Sequence, residues 1–470
     1  MRTINKFSKF LFIPIGLFFL QSCFVAKTYE SPNVKTTGLY RIDTTTALDS
    51  TSMADIPWQQ VFTDTILQRY INQAIENNYD IRIAIQNINT AKAYLRQGQS
   101  GQLPTLNVQA GYNLLHPSKY GQYGATGQDP LQQYNLTANL SWEADIWGKI
   151  RSQEKALNAK YLQTLAAHKA VKTRLISSVA SIYYQLLALD KQEKITKQSI
   201  KNSKNSLEVT KSMKEAGYAN VTAAAVKQTE AQVYNSQVIL LGLKNNVKHL
   251  ENTLSILLAQ KPHSIKRSAL NQQQITTTLK TGVPSLLMKN RPDVIAAEYN
   301  LINAFELTNV AKASFYPSLT ITASAGLSSL AIDNWFTGDA FLASIGAGLL
   351  APIFNHRQIR TQYEVALTQK ETALLNYKQT ILNAGEDVAN ALTDYKNATE
   401  KIAIQTKQVD ALQKATDYSQ ELLKYGLATY LQVLTARDQA LNAELGIIDS
   451  RYQQLDAMVS LYQALGGGWE

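Results

Sequence analysis

Cysteine is almost absent from this chain of 470 residues. The single cysteine, Cys23, excludes an internal disulfide bond. Long apolar runs are also missing, because no uninterrupted stretch reaches the ~20 apolar residues that a transmembrane helix requires. If the protein crosses a membrane, it must therefore do so with β-strands, whose backbone groups can be satisfied by neighbouring strands.

Side chains suited to catalysis are few and scattered. The five histidines have no histidine partner at helical i, i+4 spacing, no nearby cysteine and no flanking carboxylate pair, so they indicate no metal site. A glycine-rich loop that could cradle a phosphate is missing from the sequence as well. The sequence therefore predicts that the protein is not an enzyme and needs no cofactor.

Charge of one sign is not concentrated anywhere in the chain. The formal net charge is +10, from 46 basic and 36 acidic residues, but the two kinds are interspersed. Nucleic-acid binding would require a concentrated basic patch, so we expect no nucleic-acid partner. The charge is typical of the solvated faces of helices.

Proline is absent from two long stretches, Lys149–Lys261 and Ile353–Glu470, although the chain has 11 prolines elsewhere. An interior proline destabilises a helix by about 3 kcal/mol, so these gaps mark where long helices can form. Apolar residues in the first stretch have the heptad spacing of a helix that packs on another helix. They are Leu175, Val179, Ile182, Leu186 and Leu189. Glycine breaks each stretch at one matching place, Gly217 and Gly426, which predicts two helical hairpins with a first arm of roughly 100 Å.

The beginning of the chain has the pattern of a secreted lipoprotein. Basic residues precede the apolar run Phe10–Leu20, which has the length of a signal-peptide core. The small residue Ser22 and then Cys23 follow, an ending that resembles the bacterial lipobox. We therefore expect a signal peptide at 1–22, a covalent lipid (palmitate) on Cys23 and an extended tether over 23–57.

The rest of the chain contains two copies of one unit. Four landmarks recur in the same order at offsets of 213, 213, 207 and 209 residues. The pairs are Asn78–Ile81 with Arg291–Val294, Leu103–Leu106 with Tyr316–Leu319, Asp145–Gly148 with Pro352–Asn355, and Gly217 with Gly426. This order predicts an internal duplication, with repeats at 58–261 and 284–470 and a linker at 262–283.

Each repeat contains two segments in which apolar and polar residues alternate. They cover residues 104–115, 132–144, 316–328 and 338–352. Period-two alternation predicts strands with one apolar and one polar face, each near the ~10 residues of a transmembrane strand. A soluble half-buried sheet would alternate in the same way, but the lipobox favours the membrane. Helical hairpins follow at about 149–260 and 356–465, and a helix at about 292–314 precedes the second pair of strands.

Four strands cannot close a barrel, because an open sheet edge in lipid leaves backbone groups unpaired and the smallest membrane barrels have about 8 strands. Closure must come from further copies of the chain. Two copies would enclose a filled interior, whereas three copies would give 12 strands around a pore. A polar inner face is favourable only if it contacts water, and only the wider barrel has room for water. We therefore favour three copies.

Several motifs carry a resemblance to a known family. They are Trp142–Arg151, Pro284–Leu287, Arg291–Glu298, Phe315–Leu319, Ala351–Phe354 and Leu461–Trp469. In these motifs the chain resembles the TolC-like outer-membrane factors of bacterial efflux and export systems, in the lipoprotein branch that includes OprM and NodT-type proteins. The resemblance covers nearly the whole chain after the signal peptide.

The resemblance implies a fold that is mainly α with transmembrane β. A homotrimer would form a 12-stranded β-barrel in the outer membrane on a periplasmic tunnel of 12 helices. Its partners would be a periplasmic adaptor (membrane fusion) protein, an inner-membrane transporter of the RND type and outer-membrane lipid. The function implied is the passive, gated channel of a tripartite efflux system. The alternatives are a conduit for protein secretion and a lipid-anchored periplasmic coiled-coil scaffold.

The resemblance also assigns roles to the two hairpin tips. The tip residues match the segments by which such channels meet their adaptor, and they are Gly217, Tyr218, Ala219, Gly426, Leu427 and Ala428. Family members carry gate aspartates six and nine residues after the tip glycine, where this chain has Gln432 and Thr435, and Ala223 in the first copy. We therefore expect no acidic ring, and a gate closed by packing and neutral hydrogen bonds. The family also has two glycines where this chain has His356 and Arg357, so we expect a different bend there.

Overall fold

A computed structural model describes residues 26–35, 38–40, 52–116, 118, 120, 130–218, 221–273, 275 and 280–469. These residues are mainly helical and include one four-stranded sheet. None of the helices in this described part carries an apolar stretch long enough to cross a membrane. Cys23 and Ala219 lie outside the described residues, so the expectations for them stay predictions.

Nine α-helices occur in the described residues, in three length classes. The long ones are α4 (Lys149–Glu215), α5 (Ala223–Leu257), α8 (Gln358–Lys424) and α9 (Tyr430–Ala464). The intermediate ones are α2 (Thr65–Asn77), α3 (Tyr79–Gln99) and α7 (Pro292–Ala313). The short ones are α1 (Trp58–Val61) and α6 (Leu287–Asn290).

The helix lengths confirm the internal duplication. Helices α4 and α8 each have 67 residues, and α5 and α9 each have 35. The seam on α4 is buried as its heptad spacing predicts, with Leu175, Val179 and Leu186 at most 5% exposed and Ile182 half-buried. Burying an aliphatic side chain contributes about 1.5–3 kcal/mol, so the seam holds the long helix against its neighbours.

The sheet joins the two repeats. Its strands are β1 (Thr105–Leu115), β2 (Leu131–Ala144), β3 (Ser318–Ser329) and β4 (Phe341–Leu350). They pair in the order β1-β2-β3-β4, and every neighbouring pair is antiparallel. The central pair β2–β3 brings together strands from different repeats, whereas β1 and β4 are the two edges.

The described residues form two compact units, and each unit draws on both repeats. One contains the sheet and comprises the residues up to Asn33 with Ile88–Thr164 and Ala297–Tyr377. The other contains both hairpin tips and comprises Val34–Asn87, Leu165–Ala296 and the chain from Lys378 onward. Neither sequence repeat forms a compact unit by itself, because each compact unit contains segments from both repeats.

The predicted tether is held along α7 in the sheet-containing unit. The side-chain amide of Asn309 accepts from the backbone N–H of Lys27 at 3.1 Å and donates to its carbonyl at 3.0 Å. Ser31 donates its hydroxyl to Glu298 at 2.7 Å. Residues 26–35 have no regular secondary structure, so these side chains supply the partners that their extended backbone needs.

The two helices that open the tips end in the same backbone motif. Gly217 N–H donates to Lys214 O and Tyr218 N–H donates to Met213 O, both at 3.1 Å. Gly426 makes the equivalent pattern in the second repeat. Both glycines have positive φ, 80° and 74°, the left-handed conformation that glycine adopts without a Cβ penalty. The glycine at the matching place in each hairpin is thus a helix C-terminal signal.

His356 and Arg357 both adopt the left-handed backbone conformation that favours glycine. Their φ angles are 52° and 62°, and helix α8 begins directly after them. The expected difference in the bend from other family members stays a prediction. The backbone at both positions holds a conformation that costs an L-residue roughly 1–2 kcal/mol.

Replacing His356 and Arg357 together by glycine is expected to stabilise the protein by about 1 kcal/mol. The gain is the relief of left-handed strain, reduced by the larger conformational entropy of glycine in the unfolded chain. Denaturant unfolding of the detergent-solubilised protein measures it. The control is Arg360→Gly inside α8, which should destabilise by about 1 kcal/mol. Equal losses in both variants would contradict the strain argument.

Candidate functional site

The strand register aligns most apolar residues of the sheet on one face. Ala138 lies between Val108 on β1 and Ala325 on β3, and Leu140 lies between Leu106 and Ala323. The same rows continue onto β4 through the β3–β4 pairing. A strand shift of one residue would move each row to the other face, so this register is set by the alternation in the sequence.

The apolar face is uncovered in the single chain. Val108, Ile345 and Leu349 are 70%, 82% and 69% exposed. Soluble monomers rarely leave a continuous apolar surface of this extent in water. The opposite face is polar, with hydroxyl and amide contacts such as Ser324 to Ser344 at 2.8 Å. The sheet thus has one face suited to lipid and one suited to water.

Aromatic side chains bound the apolar face at both ends. At one end Tyr134 contacts Tyr112 and Trp335, with ring centroids 5.0 and 5.5 Å apart. At the other end Trp142 donates its indole N–H to Gln102 O at 2.8 Å. Tyr134 and Trp142 are eight residues apart on β2, or about 26 Å at the usual rise. Membrane barrels have aromatic girdles around an apolar band of about 25 Å, so the sheet has the dimensions of a membrane-spanning one.

Charged residues follow β2 where helix α4 begins. Asp145 accepts from the backbone N–H groups of Ile150 and Arg151, both at 2.9 Å, and so caps the helix. Glu143 pairs with Lys149 at 3.0 Å. Both carboxylates therefore have local structural partners.

The two hairpin tips expose apolar and aromatic side chains. Tyr218 is 52% exposed at the first tip, and Tyr425 and Leu427 are 73% and 75% exposed at the second. Ala428, in contrast, is buried and 8% exposed. Of the predicted docking residues in the described chain, the exposed ones are therefore available to a partner, whereas Ala428 supports the tip from within.

The helices that leave the tips begin with a threonine cap. Thr222 Oγ1 accepts from Ala225 N–H at 3.2 Å before α5. Before α9 the backbone N–H of Thr429 donates to the side-chain oxygen of Gln432 at 2.8 Å. Gln432, predicted from the resemblance as a gate position, thus also closes the first turn of its helix.

The predicted gate positions are not equivalent in the two copies. Ala223 is the first residue of α5, whereas Gln432 is the third residue of α9. The first tip loop is two residues longer, so counting from the glycine reaches a different helical position in each copy. All three gate candidates are exposed, and Thr435 donates its hydroxyl to Leu431 O at 3.0 Å.

A small apolar cluster supports the tips. It consists of Ala225, Leu423, Tyr430 and Val433, with Leu434 packed against it. These residues come from α5, α8 and α9, so the cluster joins the two hairpins. The expectation of a gate closed by packing and neutral hydrogen bonds stays a prediction.

The family model "Outer membrane efflux protein" matches residues 70–260 and 283–467. The chain belongs to the outer membrane efflux protein family. It is 30% identical over 419 residues to the probable efflux pump outer membrane protein SepC of Pseudomonas putida strain F1, which covers 89% of this chain and 86% of SepC.

Two further likenesses concern the lipid anchor and the fold. The probable outer membrane lipoprotein SilC of Salmonella typhimurium is 25% identical over 422 residues, 89% of each chain. The outer-membrane channel OprN shares the fold with a TM-score of 0.86 at 24% identity, over 95% of this chain and all of that one. The resemblance seen in the sequence is thus confirmed, as are the predicted mainly helical fold with a strand pair in each repeat and the outer-membrane location.

This outer membrane efflux protein is the outer-membrane component of an efflux system, as the sequence predicted. The family match favours that function over a protein-secretion conduit and over a periplasmic scaffold. Within the described residues no group of three His, Cys, Asp or Glu side chains is arranged to hold a metal ion.

Sequence reasoning missed Arg437 of this efflux protein. Its guanidinium donates to Ser206 Oγ, and also to the side-chain oxygen of Gln420 when that amide is turned to satisfy both groups. Arg437 therefore joins α9 to α4 and α8. The sequence analysis expected only neutral hydrogen bonds near the tips, and a charged donor was not among them. The signal available in the sequence was a charged residue at heptad spacing with Tyr430 and Leu434 on the packed face of α9.

Gln432→Glu is expected to raise the preference of the open channel for cations without loss of stability. The carboxylate can keep the hydrogen bond from Thr429 N–H, and a negative charge is favourable in the first turn of a helix. Gln432→Lys should shift selectivity toward anions and lose the cap, at a cost of about 1 kcal/mol. Reversal potentials in planar bilayers measure both. Unchanged selectivity in both variants would show that Gln432 does not face the conducting path.

Proposed function

We propose that three copies of this protein form the passive channel of a tripartite efflux pump. The single observation that carries the proposal is the uncovered apolar face of an open four-stranded sheet, bordered by aromatic residues at both ends. The exposed tip residues Tyr218, Tyr425 and Leu427 would contact a periplasmic adaptor protein. An inner-membrane transporter of the RND type would supply the energy, and the chain itself performs no enzymatic reaction and holds no cofactor.

The lipid anchor belongs to the same proposal. Cys23 would carry a covalent lipid in the outer membrane, in agreement with the relative that is named a lipoprotein. The tether residues bound to Asn309 and Glu298 would then run from that lipid along the protein. Replacing Cys23 by serine while retaining the rest of the chain tests the anchor through loss of labelling with radioactive palmitate.

Closure of the sheet requires other copies, because β1 and β4 each have one unpaired edge in the single chain. Unpaired backbone groups are too unfavourable in lipid to persist. The polar face includes the glycines Gly111, Gly346 and Gly348, which leave the interior wide, and a wide polar interior must hold water. Three copies give 12 strands around such an interior, whereas two would give a barrel narrow enough to fill with side chains.

The internal duplication supplies the register of the closing strands. Strand β1 corresponds to β3 at an offset of 213, and the two hairpin registers then relate β2 to β4 at an offset of 209. Transferring the β2–β3 pairing by these offsets places Gly346 opposite Asn113 of the neighbouring copy. The same transfer places Ala347 opposite Tyr112, so the apolar rows continue across the junction.

A cysteine pair at Gly346 and Asn113 is expected to form disulfides between copies and to give covalent trimers after oxidation. Opposite residues in an antiparallel pair lie about 4.5–5.5 Å apart at Cα, within the reach of a disulfide. The pair Ser344→Cys with Asn113→Cys is shifted by two residues, which puts the Cα atoms beyond that reach, and it is the control. Cys23 is the chain's only cysteine and would be lipidated, so it leaves no competing thiol.

The outcomes separate register from closure. Covalent trimers in the first pair alone support both. Trimers in the shifted pair alone would overturn the register but keep the trimer. A monomer mass in mild detergent, with no covalent product from either pair, would overturn closure by other copies and with it the proposed channel.

A further inference from the structure

A polar cavity of about 410 Å³ lies below the hairpin tips. All four long helices contribute to its wall within one compact unit. Among the lining residues are Ser203 and Ser206 of α4, Thr229 of α5, Gln420 of α8, and Tyr430 and Arg437 of α9. The hairpins therefore do not pack tightly at this level, although the apolar cluster closes the space nearer the tips.

Arg437 is half-buried and brings a positive charge to this cavity, and no carboxylate of the described residues forms an ion pair with it. Its hydrogen bonds go to the Ser206 hydroxyl and the Gln420 amide oxygen, both neutral groups. Burial lowers the pKa of the Arg437 guanidinium, and no carboxylate near it reverses that shift. An unpaired buried charge is costly, because the protein interior replaces little of the lost hydration.

Two other buried arginines show how this chain normally compensates such a charge. Arg267 pairs with Asp190 and Glu251, and Arg291 pairs with Asp293 and Asp387. Burial alone would lower the pKa of both guanidinium groups, but these carboxylates raise it above the ordinary value. Of these three arginines, Arg437 is therefore the one whose charge no carboxylate of the described residues compensates.

A second, independent group in the same wall lacks a partner. Tyr430 is 4% exposed, and in the described residues its buried hydroxyl has no hydrogen-bond partner. It lines the same cavity as Arg437. A buried hydroxyl is nearly always hydrogen-bonded in folded proteins, so its environment calls for an acceptor that the side chains do not supply.

Two carboxylates also line the cavity and limit what can occupy it. Glu444 accepts a hydrogen bond from Gln413 at 2.7 Å, and Asp417 is exposed at the surface. Neither makes an ion pair with Arg437 in the part of the chain that the structure describes. Their negative charge disfavours a polyvalent anion, so the best fit is a small monovalent one.

We propose that Arg437 and Tyr430 hold a small monovalent inorganic anion of the halide class in this cavity. The anion accepts from the guanidinium and the Tyr430 hydroxyl, and so satisfies the charge and the unpaired donor at once. Water would satisfy only the hydrogen bonds. Both donors lie on α9, and Arg437 also donates to Ser206 of α4, so the anion binds at a contact between the two hairpins below the tips. This inference is independent of the trimer and of the efflux partners.

Bromide replaces chloride in the direct test. Crystals of the full-length protein in bromide are expected to show an anomalous diffraction peak between Arg437 and Tyr430. The midpoint of thermal unfolding in detergent should also rise by about 2 °C when bromide replaces gluconate at constant ionic strength. Tyr430→Phe should reduce this rise, Arg437→Gln should remove it, and the exposed control Arg360→Gln should leave it unchanged.

The competing explanation is that Asp417 turns inward and serves as the counter-ion. In that case the wild-type protein shows neither the peak nor the bromide-dependent rise, and both appear only in Asp417→Asn. That result, or bromide found only at surface lysines, overturns the proposal. The wild-type crystals decide the question even if Arg437→Gln fails to fold.

Discussion

Arginine at position 138 is expected to prevent assembly of the protein in the outer membrane. Ala138 lies midway between Tyr134 and Trp142 on the apolar face, so its side chain would face the centre of the lipid. Arginine at the midplane of a membrane barrel destabilises it by roughly 2–4 kcal/mol in each chain. Both the amount of trimer recovered from outer membranes and the efflux that depends on this protein in intact cells should fall to background.

Asn139→Arg is the matched control. Asn139 is the next residue on β2 and lies on the polar face, opposite Asn107 and Ser324. Arginine there would point into water, so trimer recovery should be close to that of the wild type. The extra charge should shift ion selectivity toward anions. If Asn139→Arg blocked assembly and Ala138→Arg did not, the assignment of lipid and lumen faces would be reversed.

Alanine at Gly467 is expected to lower the free energy of unfolding by about 2–3 kcal/mol. A Cβ at Gly467 would lie 2.6 and 2.7 Å from Cζ and Cδ2 of the Tyr462 ring. That ring cannot move aside easily, because Tyr462 is 1% exposed, donates its hydroxyl to Ile56 O at 2.8 Å and contacts Phe62 edge to face. The backbone after α9 must shift instead, and this shift also disturbs the C-terminal motif Leu461–Trp469.

Denaturant unfolding with Gly242→Ala as control separates this effect from glycine replacement in general. Gly242 lies within α5, and a Cβ there would meet nothing within 4 Å. Alanine at that position should stabilise the helix by about 0.5–1 kcal/mol. A Gly467→Ala variant as stable as the wild type would show that the C-terminal glycines do not pack against Tyr462 as the structure has them.

The sequence alone was sufficient for the elements and for the duplication. The absence of proline from two stretches located α4 and α8. Both helices have 67 residues, as expected for two copies of one unit whose motifs recur at a nearly constant offset. The alternation of apolar and polar residues located all four strands, because successive side chains of a strand point to opposite faces of the sheet. Such features depend on local sequence, so they can be predicted without knowing which segments meet.

The resemblance, in turn, supplied the function, and the family match confirmed it. It was less reliable at the tips, where positions were counted from a glycine. The first loop is longer by two residues, so Ala223 and Gln432 occupy different turns of their helices. Loop length can differ between copies without changing the helices on either side, and counting through a loop cannot detect that.

Only the tertiary structure decided which groups are paired across the chain. The pairing of β2 with β3 joins the two repeats. Carboxylates form ion pairs with Arg291, whereas none of those described does so with Arg437. Both features depend on contacts between residues far apart in sequence. The sequence by itself determined helices, strands and the two-copy plan through local periodicity. Long-range packing decided what closes the core and where a charge is left without a partner, because those energies depend on distances that only the folded chain sets.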